Sequence, residues 1–366
     1  MDTTRLRELA TTDGPFASVY FDDTHNTESA AKELELTWRE LRDRLAEQNA
    51  PEQALDALED AILDGEPPTG ERCGRGLVAT PDGVVLDRRL TEPPARSVTR
   101  VSERPYLVPL IEHGERPPPH VVAVVDRVGA DVTAVDADGE VIDSRTVEGT
   151  DHYIHKIPGG GWSERNIDRH ADELARQNIE LAAEHTTDVA RRLGAPLVVV
   201  AGEPQARKTL LEALPQPVRG HATEVQPGGR HKGAGNRELE ERIDELLADV
   251  TRARKDEAVE RFSQAVAMPT GLGVAGLESV TAAFRDHNVE TLLIGVPGDV
   301  EVFTGPEPTM VAVQKEALQA QGIDEIGRAR ADEALVLAAI TLNAEVIHVG
   351  DRIDLTEGFG AILRHD

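Results

Sequence analysis

The stretch VVAVVDRVGADVTAVDADGEVIDSRTV, residues 121–147, decides how the middle of the chain folds. Its first six residues are a continuous apolar run closed by Asp126, the pattern of a central strand buried on both faces. Residues 130–136 and 140–147 read as two shorter strands, with Asp138-Gly139 supplying the hairpin turn. After a polar loop over 150–162, a helix is predicted over 163–193, with Ile167, Ala171, Leu174, Ile179, Ala182, Val189 and Leu193 along one side. Gly194 stops that helix, and PLVVVAG, residues 196–202, returns as a buried strand. Three leading strands, a long helix and a returning strand predict an RNase H-like arrangement.

Working outward, EHGERPPPH (112–120) carries three consecutive prolines and reads as a stiff extended linker. Before it, FASVYFD (16–22) is a strand by alternation and β-forming residues. A helix over 28–48 follows, with Leu34, Trp38, Leu41 and Leu45 at helical spacing. Trp38 lies on that apolar stripe and is read as core. A second helix over 52–63 precedes a hairpin around Pro81-Asp82. On the other side, a charged helix over about 237–266 leads into a third segment. There, helices over 275–287 and 331–343 each precede a strand, and residues 360–364 form a last one. Repeated helix-then-strand order predicts a sheet covered on both faces. The fold class is therefore α/β in three domains: N-terminal mixed α/β over 1–116, central RNase H-like over 120–254, and a C-terminal α/β/α sandwich over 255–366.

Of the 366 residues, 67 are Asp or Glu and 39 are Lys or Arg, giving a net charge of −28, and only six of the cations are Lys. Such an acidic surface keeps a protein hydrated in a salty or crowded cytoplasm. Non-specific nucleic-acid binding by counterion release needs a basic surface, so any RNA contact must be local. The lone Cys73 cannot bridge internally and no zinc-type spacing is present, which points to a reducing compartment. No secretory leader and no membrane-length apolar run are read, so the expected location is cytoplasmic, with neither a membrane nor DNA as partner.

The most unusual local sequence is KIPGGGWSERNIDR, residues 156–169. Gly159, Gly160 and Gly161 permit positive φ and close backbone approach to another molecule. Ser163 is placed to cap the following helix, whose start, with Arg165 and Arg169, favours an RNA backbone. Trp162 suits stacking on a base. The plainer alternative, favoured on spacing alone, is a hairpin whose Trp162 folds back onto its own domain. A second cationic cluster gathers Arg219, His221, Arg230, His231, Lys232 and Arg237 around glycines. It can neutralise a few phosphates, or its cations can equally pair with Glu238, Glu240 and Glu241.

Nucleotide and catalytic motifs are weak. GGGWSE lacks the Lys-Ser/Thr ending of a phosphate loop, and GLGVAG (271–276) follows a loop with no preceding strand. Asp126 and Glu203, at strand ends, could serve an RNase H-like nuclease with two metals, but acids at strand ends in so acidic a chain are usually solvated. His152 and His155 lack further ligands. No catalytic residue, metal or cofactor is assigned.

At this point the residues carry a resemblance. PGGGWSERNIDRHADE (158–173) resembles the central-domain loop of the class I release factors of archaea and eukaryotes, where two glycines and a Gln or Arg precede a long helix. GFGAILRH (358–365), ADEALVLAAITLNAEVIHV (331–349) and VVAVVDRVGADVTAVD (121–136) are similar to segments of those factors and of Pelota. Together they span roughly 120–366. SVYFD (18–22), the Trp-containing helix and the hairpin look like the N-terminal domain of the bacterial branch, which includes the Balon-type hibernation factors. No codon-reading NIKS-like motif is found. The resemblance implies a release factor/Pelota C-terminal fold and a ribosomal A-site partner, with elongation factor Tu alongside. The loop tip Gly159, Gly160, Gly161, Trp162, Arg165 and Arg169 would then contact ribosomal RNA, as would Arg230, His231, Lys232 and Arg237. Aligned on Gly160-Gly161, Trp162 stands where the release factor has the glutamine that positions water against the peptidyl ester. Indole offers one donor and no acceptor, and its bulk fills the water's space. The expectation is a non-hydrolytic factor on idle or stalled ribosomes. The rivals are peptidyl-tRNA hydrolysis or rescue, an RNase H-like nuclease, and a protein-only adaptor.

Overall fold

The computed structural model describes residues 4–24, 30–65, 73–114, 117–137, 139–148, 162–226, 229, 236–268 and 271–365, with backbone alone at 4–5, 30, 162–172 and 236. The chain forms two compact units, one made of 1–115 with 255–366 and the other of 116–254.

The N-terminal segment opens on a 3-10 helix (Thr4–Thr11) and continues β1 (Phe16–Asp22), α1 (Ala30–Glu47), α2 (Glu52–Leu63), β2 (Gly74–Thr80), β3 (Gly83–Leu90), β4 (Val98–Ser102) and α3 (Val108–His113). Its antiparallel sheet has the order β3-β2-β1-β4. Alternation along β1 sends Ala17, Val19 and Phe21 against Trp38, Leu41, Leu45, Leu55, Leu58 and Ile62 of the two helices. Trp38 is core as read, its indole N–H donating to Glu59 Oε2 at 3.0 Å. The other face, with Phe16 and Tyr20, belongs to a different core.

The central unit runs β5 (His120–Val125), β6 (Gly129–Val135), β7 (Val141–Glu148), α4 (Trp162–Leu193), β8 (Leu197–Gly202), α5 (Pro204–Ala213), α6 (Gln216–Arg219), β9 (Ala222–Glu224) and the first half of α7 (Asn236–Ala267). The sheet order is β7-β6-β5-β8-β9, with β6 antiparallel to both neighbours and β5, β8 and β9 parallel. The apolar run of β5 is explained by cover on both faces. Val121, Ala123 and Val125 meet Ile179, Ala182 and Val189 of α4. Val122 and Val124 lie on the side packed by Leu239, Leu246 and Leu247 of α7. The three leading strands, long helix and returning strand are present as anticipated, and the three-residue β9 is an addition. The described helix begins at Trp162, and the side chain of Ser163, read as its cap, lies outside the described residues.

The C-terminal segment contains β10 (Gly273–Ala275), α8 (Leu277–Arg285), β11 (Val289–Ile294), β12 (Glu301–Thr304), β13 (Val311–Ala312), α9 (Lys315–Gln319), β14 (Gly327–Arg330), α10 (Ala331–Thr341), β15 (Glu345–His348) and β16 (Phe359–Leu363). Its main sheet has the order β10-β16-β11-β15, and a small second sheet the order β13-β12-β14. The end of α7 covers one face of the main sheet, through Ala258 and Phe262 against Leu293, Ile347 and Ile362. Leu277, Val280 and Phe284 of α8 and the whole of α10 pack into the core against the other. The helix predicted from 275 starts at Leu277, because Gly273–Ala275 pairs with β16 instead.

Every residue of α10 from Ala331 to Ile340 is buried. An all-round apolar helix needs cover on every side, and here part of it comes from Leu6, Leu9, Phe16, Tyr20, Leu107, Leu110 and Ile111. The first and third segments, read as separate domains from sequence, thus share one interior and pack as one unit.

Charges join the same two segments. Asp332 and Glu333, each 2% exposed, open α10. Arg100 of β4 reaches Asp332 at 3.2 Å and Glu333 at 3.4 Å, and Arg330 holds Asp332 at 2.9 Å and Asp299 at 2.5 Å. The Arg100 guanidinium lies 3.6 Å from the centre of the Tyr106 ring, and Tyr20 donates its hydroxyl to the Tyr106 carbonyl at 2.5 Å. Burial pushes the Glu333 carboxyl above its ordinary range, with Arg100 opposing.

Two outcomes follow. Arg100→Ala leaves Glu333 buried beside a lost partner while Arg330 still serves Asp332. Denaturant unfolding should show a loss of about 2–4 kcal/mol, near the cost of breaking a buried pair. A raised folded-state value for Glu333 means the folded chain holds that proton more tightly than the unfolded one, so its contribution falls as pH rises through the raised value. Glu333→Gln should therefore be more stable than the parent at neutral pH, and the gap should close as pH falls to the ordinary glutamate range. A gap that is constant with pH would contradict this.

Candidate functional site

The candidate residues fall in the central unit. Gly159, Gly160 and Gly161 lie outside the described residues, as do His152, His155, Arg230, His231 and Lys232. Trp162, Arg165 and Arg169 are placed in the first two turns of α4 by their backbone, and their side chains lie outside the described set. What the structure fixes is the mount. Leu174, Ile179, Ala182, Ala183 and Val189 bury one side of α4 on the sheet, so the segment before Trp162 leaves from the end of an anchored 32-residue helix. Arg237, 90% exposed at the start of α7, pairs with Glu241 at 3.0 Å, one of the pairings read as an alternative to RNA contact. Arg219, read in the same cluster, is held within the described residues by the end of α5. Its guanidinium donates to the carbonyls of Leu214, at 2.6 Å, and Glu212.

The strand-end acids brace the ends of β5 and β8. Asp126 Oδ1 accepts from the N–H groups of Val128 at 2.8 Å and Gly129 at 3.0 Å, closing the turn between β5 and β6. Glu203 pairs with Arg127 at 2.9 Å, and its backbone N–H donates to the Val125 carbonyl at 2.8 Å. Between the parallel strands β5 and β8, where a doubly wound sheet usually opens a crevice, the two ends are drawn together. Gly202 sits at φ 110°, and a Cβ there would lie 2.0 Å from the Val125 oxygen. Among the described residues no group of three His, Cys, Asp or Glu side chains is disposed to hold a metal ion.

A residue the sequence reading passed over secures this corner. Arg207, 6% exposed, donates to the Gly202 carbonyl at 2.9 Å, to Glu224 at 2.8 Å and to the Gln226 carbonyl at 3.3 Å. Its signal was spacing, because Arg207 and Leu210 are three apart on the inward side of α5. At the opposite end of β5, burial lowers the basicity of His120, partly offset by its Nδ1 contact at 3.0 Å with the Pro118 carbonyl.

The model of the bacterial archaeo-eukaryotic release factor family 2 matches residues 119–268, the central sheet together with the whole of α7. The chain belongs to that family, sharing 38% identity over 371 residues with the Mycobacterium tuberculosis protein Rv2629, an alignment that covers all of this chain and 97% of that one. It is 26% identical over 254 residues to peptide chain release factor subunit 1 of Methanopyrus kandleri, covering 67% of this chain and 56% of that one. Among solved structures it matches Archaeoglobus fulgidus Pelota at 12% identity and a TM-score of 0.37, covering 100% and 92% of the two chains. Among the described residues, no helix is long and apolar enough to cross a membrane.

The corner at Gly202 yields a test. Gly202→Ala combines a positive φ with a clash against backbone, so thermal or urea unfolding should show a loss of about 2 kcal/mol or more. Near-parental stability would show that the two strand ends are not held together as described.

Proposed function

We propose that this chain is a cytoplasmic, ribosome-associated factor that fills the A site of idle or stalled ribosomes and does not hydrolyse peptidyl-tRNA. The observation that carries this reading is Trp162. Two glycines precede it, as in the release factors the family is related to, and it is the first residue of a helix anchored on the central sheet. In the release-factor arrangement that place belongs to an amide that orients water. An indole has no acceptor to do so and occupies the water's volume. The glycines would carry the tip into a narrow RNA cavity. Arg165 and Arg169, close behind, would meet phosphates, and Arg230, His231, Lys232 and Arg237 would hold RNA backbone elsewhere. Membership of a release-factor family supports the ribosome as partner, and elongation factor Tu is proposed as its companion there.

Cosedimentation with idle ribosomes at the host's own salt is the test. Co-migration is expected, and Trp162→Ala with Arg165→Glu should weaken it about tenfold or more, the loss of one stacked base and one phosphate contact. Absence of co-migration overturns the proposal. Release of a labelled peptide from peptidyl-tRNA on the ribosome, abolished by Gly161→Ala, would replace it with the hydrolytic reading.

A further inference from the structure

Among the described residues the central sheet ends on one side at β7, which pairs there with β6 alone. Such an edge offers unpaired backbone N–H and C=O groups, and proteins usually guard one with proline, inward charges, short length or a covering element. The eight-residue β7 contains no proline, and all of its residues except Asp143 and Val147 are exposed. Val141 and Ile142, at 59% and 46% exposure, sit at its slightly irregular start.

We propose that this edge is a self-association surface, on which a second copy of the chain adds its own β7 in antiparallel register centred on Ser144. Pairing two identical antiparallel strands about a two-fold axis sets residue i opposite residue j on the same face of the joined sheet, so i and j must share parity. A centre at Asp143 or at Arg145 sets like charges face to face. A centre at Ser144 sets Asp143 opposite Arg145 of the second copy and Arg145 opposite its Asp143. It also puts Ser144 beside Ser144, small side chains that suit cross-strand contact, within the stretch from Asp143 to Glu148 that pairs regularly with β6. The segment DSR, 143–145, is thus complementary to itself in charge.

Arg145 gives the pairing its direction. It is exposed, and its side chain makes no hydrogen bond or ion pair among the described residues, unusual for a cation in a chain of net charge −28. Asp143 is oriented by Arg192, whose Nη2 lies 3.1 Å from its Oδ2, and a carboxylate retains lone pairs for a second guanidinium. Repulsion between two such acidic copies is the opposing force, so association is best measured where the screening length is short, roughly 3 Å at 1 M salt.

Sedimentation equilibrium of the full chain at high salt should return twice the chain mass. Arg145→Asp alters a side chain with no hydrogen bond or ion pair among the described residues and should weaken the dimer about tenfold or more, because each dimer holds the reversed pair twice. In a Cys73→Ser background, Ser144→Cys should form a covalent dimer with a short bis-maleimide, each cysteine sulfur adding across one maleimide double bond, while a cysteine at the exposed position Ser263 should not. A monomer throughout overturns the proposal. So does a dimer indifferent to Arg145→Asp, or one whose residue 144 thiols do not join. If Arg145→Asp fails to fold, the cross-link at 144 alone decides.

Discussion

Helix α10 is apolar around its circumference, and the arrangement of the larger unit answers its need for cover. The main C-terminal sheet and α8 supply part of that cover, and the N-terminal 3-10 helix and α3 supply more. Its first turn sharpens the demand. Two adjacent carboxylates gain from the positive end of the helix dipole but lose their water, so cations must come with the covering segments. Arg100 arrives on β4 and Arg330 on β14. Such pairs add little net stability over apolar residues, but they penalise any packing that leaves a carboxylate buried alone. The ion pairs thereby select which strand of the N-terminal sheet faces the helix.

The central unit is governed by a different economy of contacts. Its parallel strand ends are stitched shut by Gly202, Arg207 and the Asp126 turn, at the place where sheets of this kind commonly keep a ligand crevice. Rigidity at that end and a long helix rooted on the sheet suit a scaffold that presents one extremity.

Much of this was legible in the chain. The run VVAVVD, the hairpin at Asp138-Gly139 and the helical stripe through Ile179 and Val189 lead to the observed strand order of the central sheet, because each element satisfies its own periodicity. What stayed illegible lacks a local pattern. The strands β9, β12, β13 and β14 are two to four residues long, too short for alternation to register. The shared interior of the first and third segments joins residues more than 200 positions apart, as Arg100 and Asp332 show. Its one local hint is that ADEALVLAAI has no polar face beyond its first turn. At the candidate site, Trp162 and its glycines were readable as a motif only. Asp126 was readable as a turn former, from the glycine three residues later, as well as a metal ligand.

Helix α7 is a single ladder of backbone bonds that serves two interiors in succession. Leu239, Leu246 and Leu247 anchor its first half to one core, and Ala258 and Phe262 anchor its last turns to another. Either half alone, about 16 residues, would be close to the length at which a helix in water is marginal. Loosening one interior therefore strips the helix end in the other of the neighbouring turns that keep it wound.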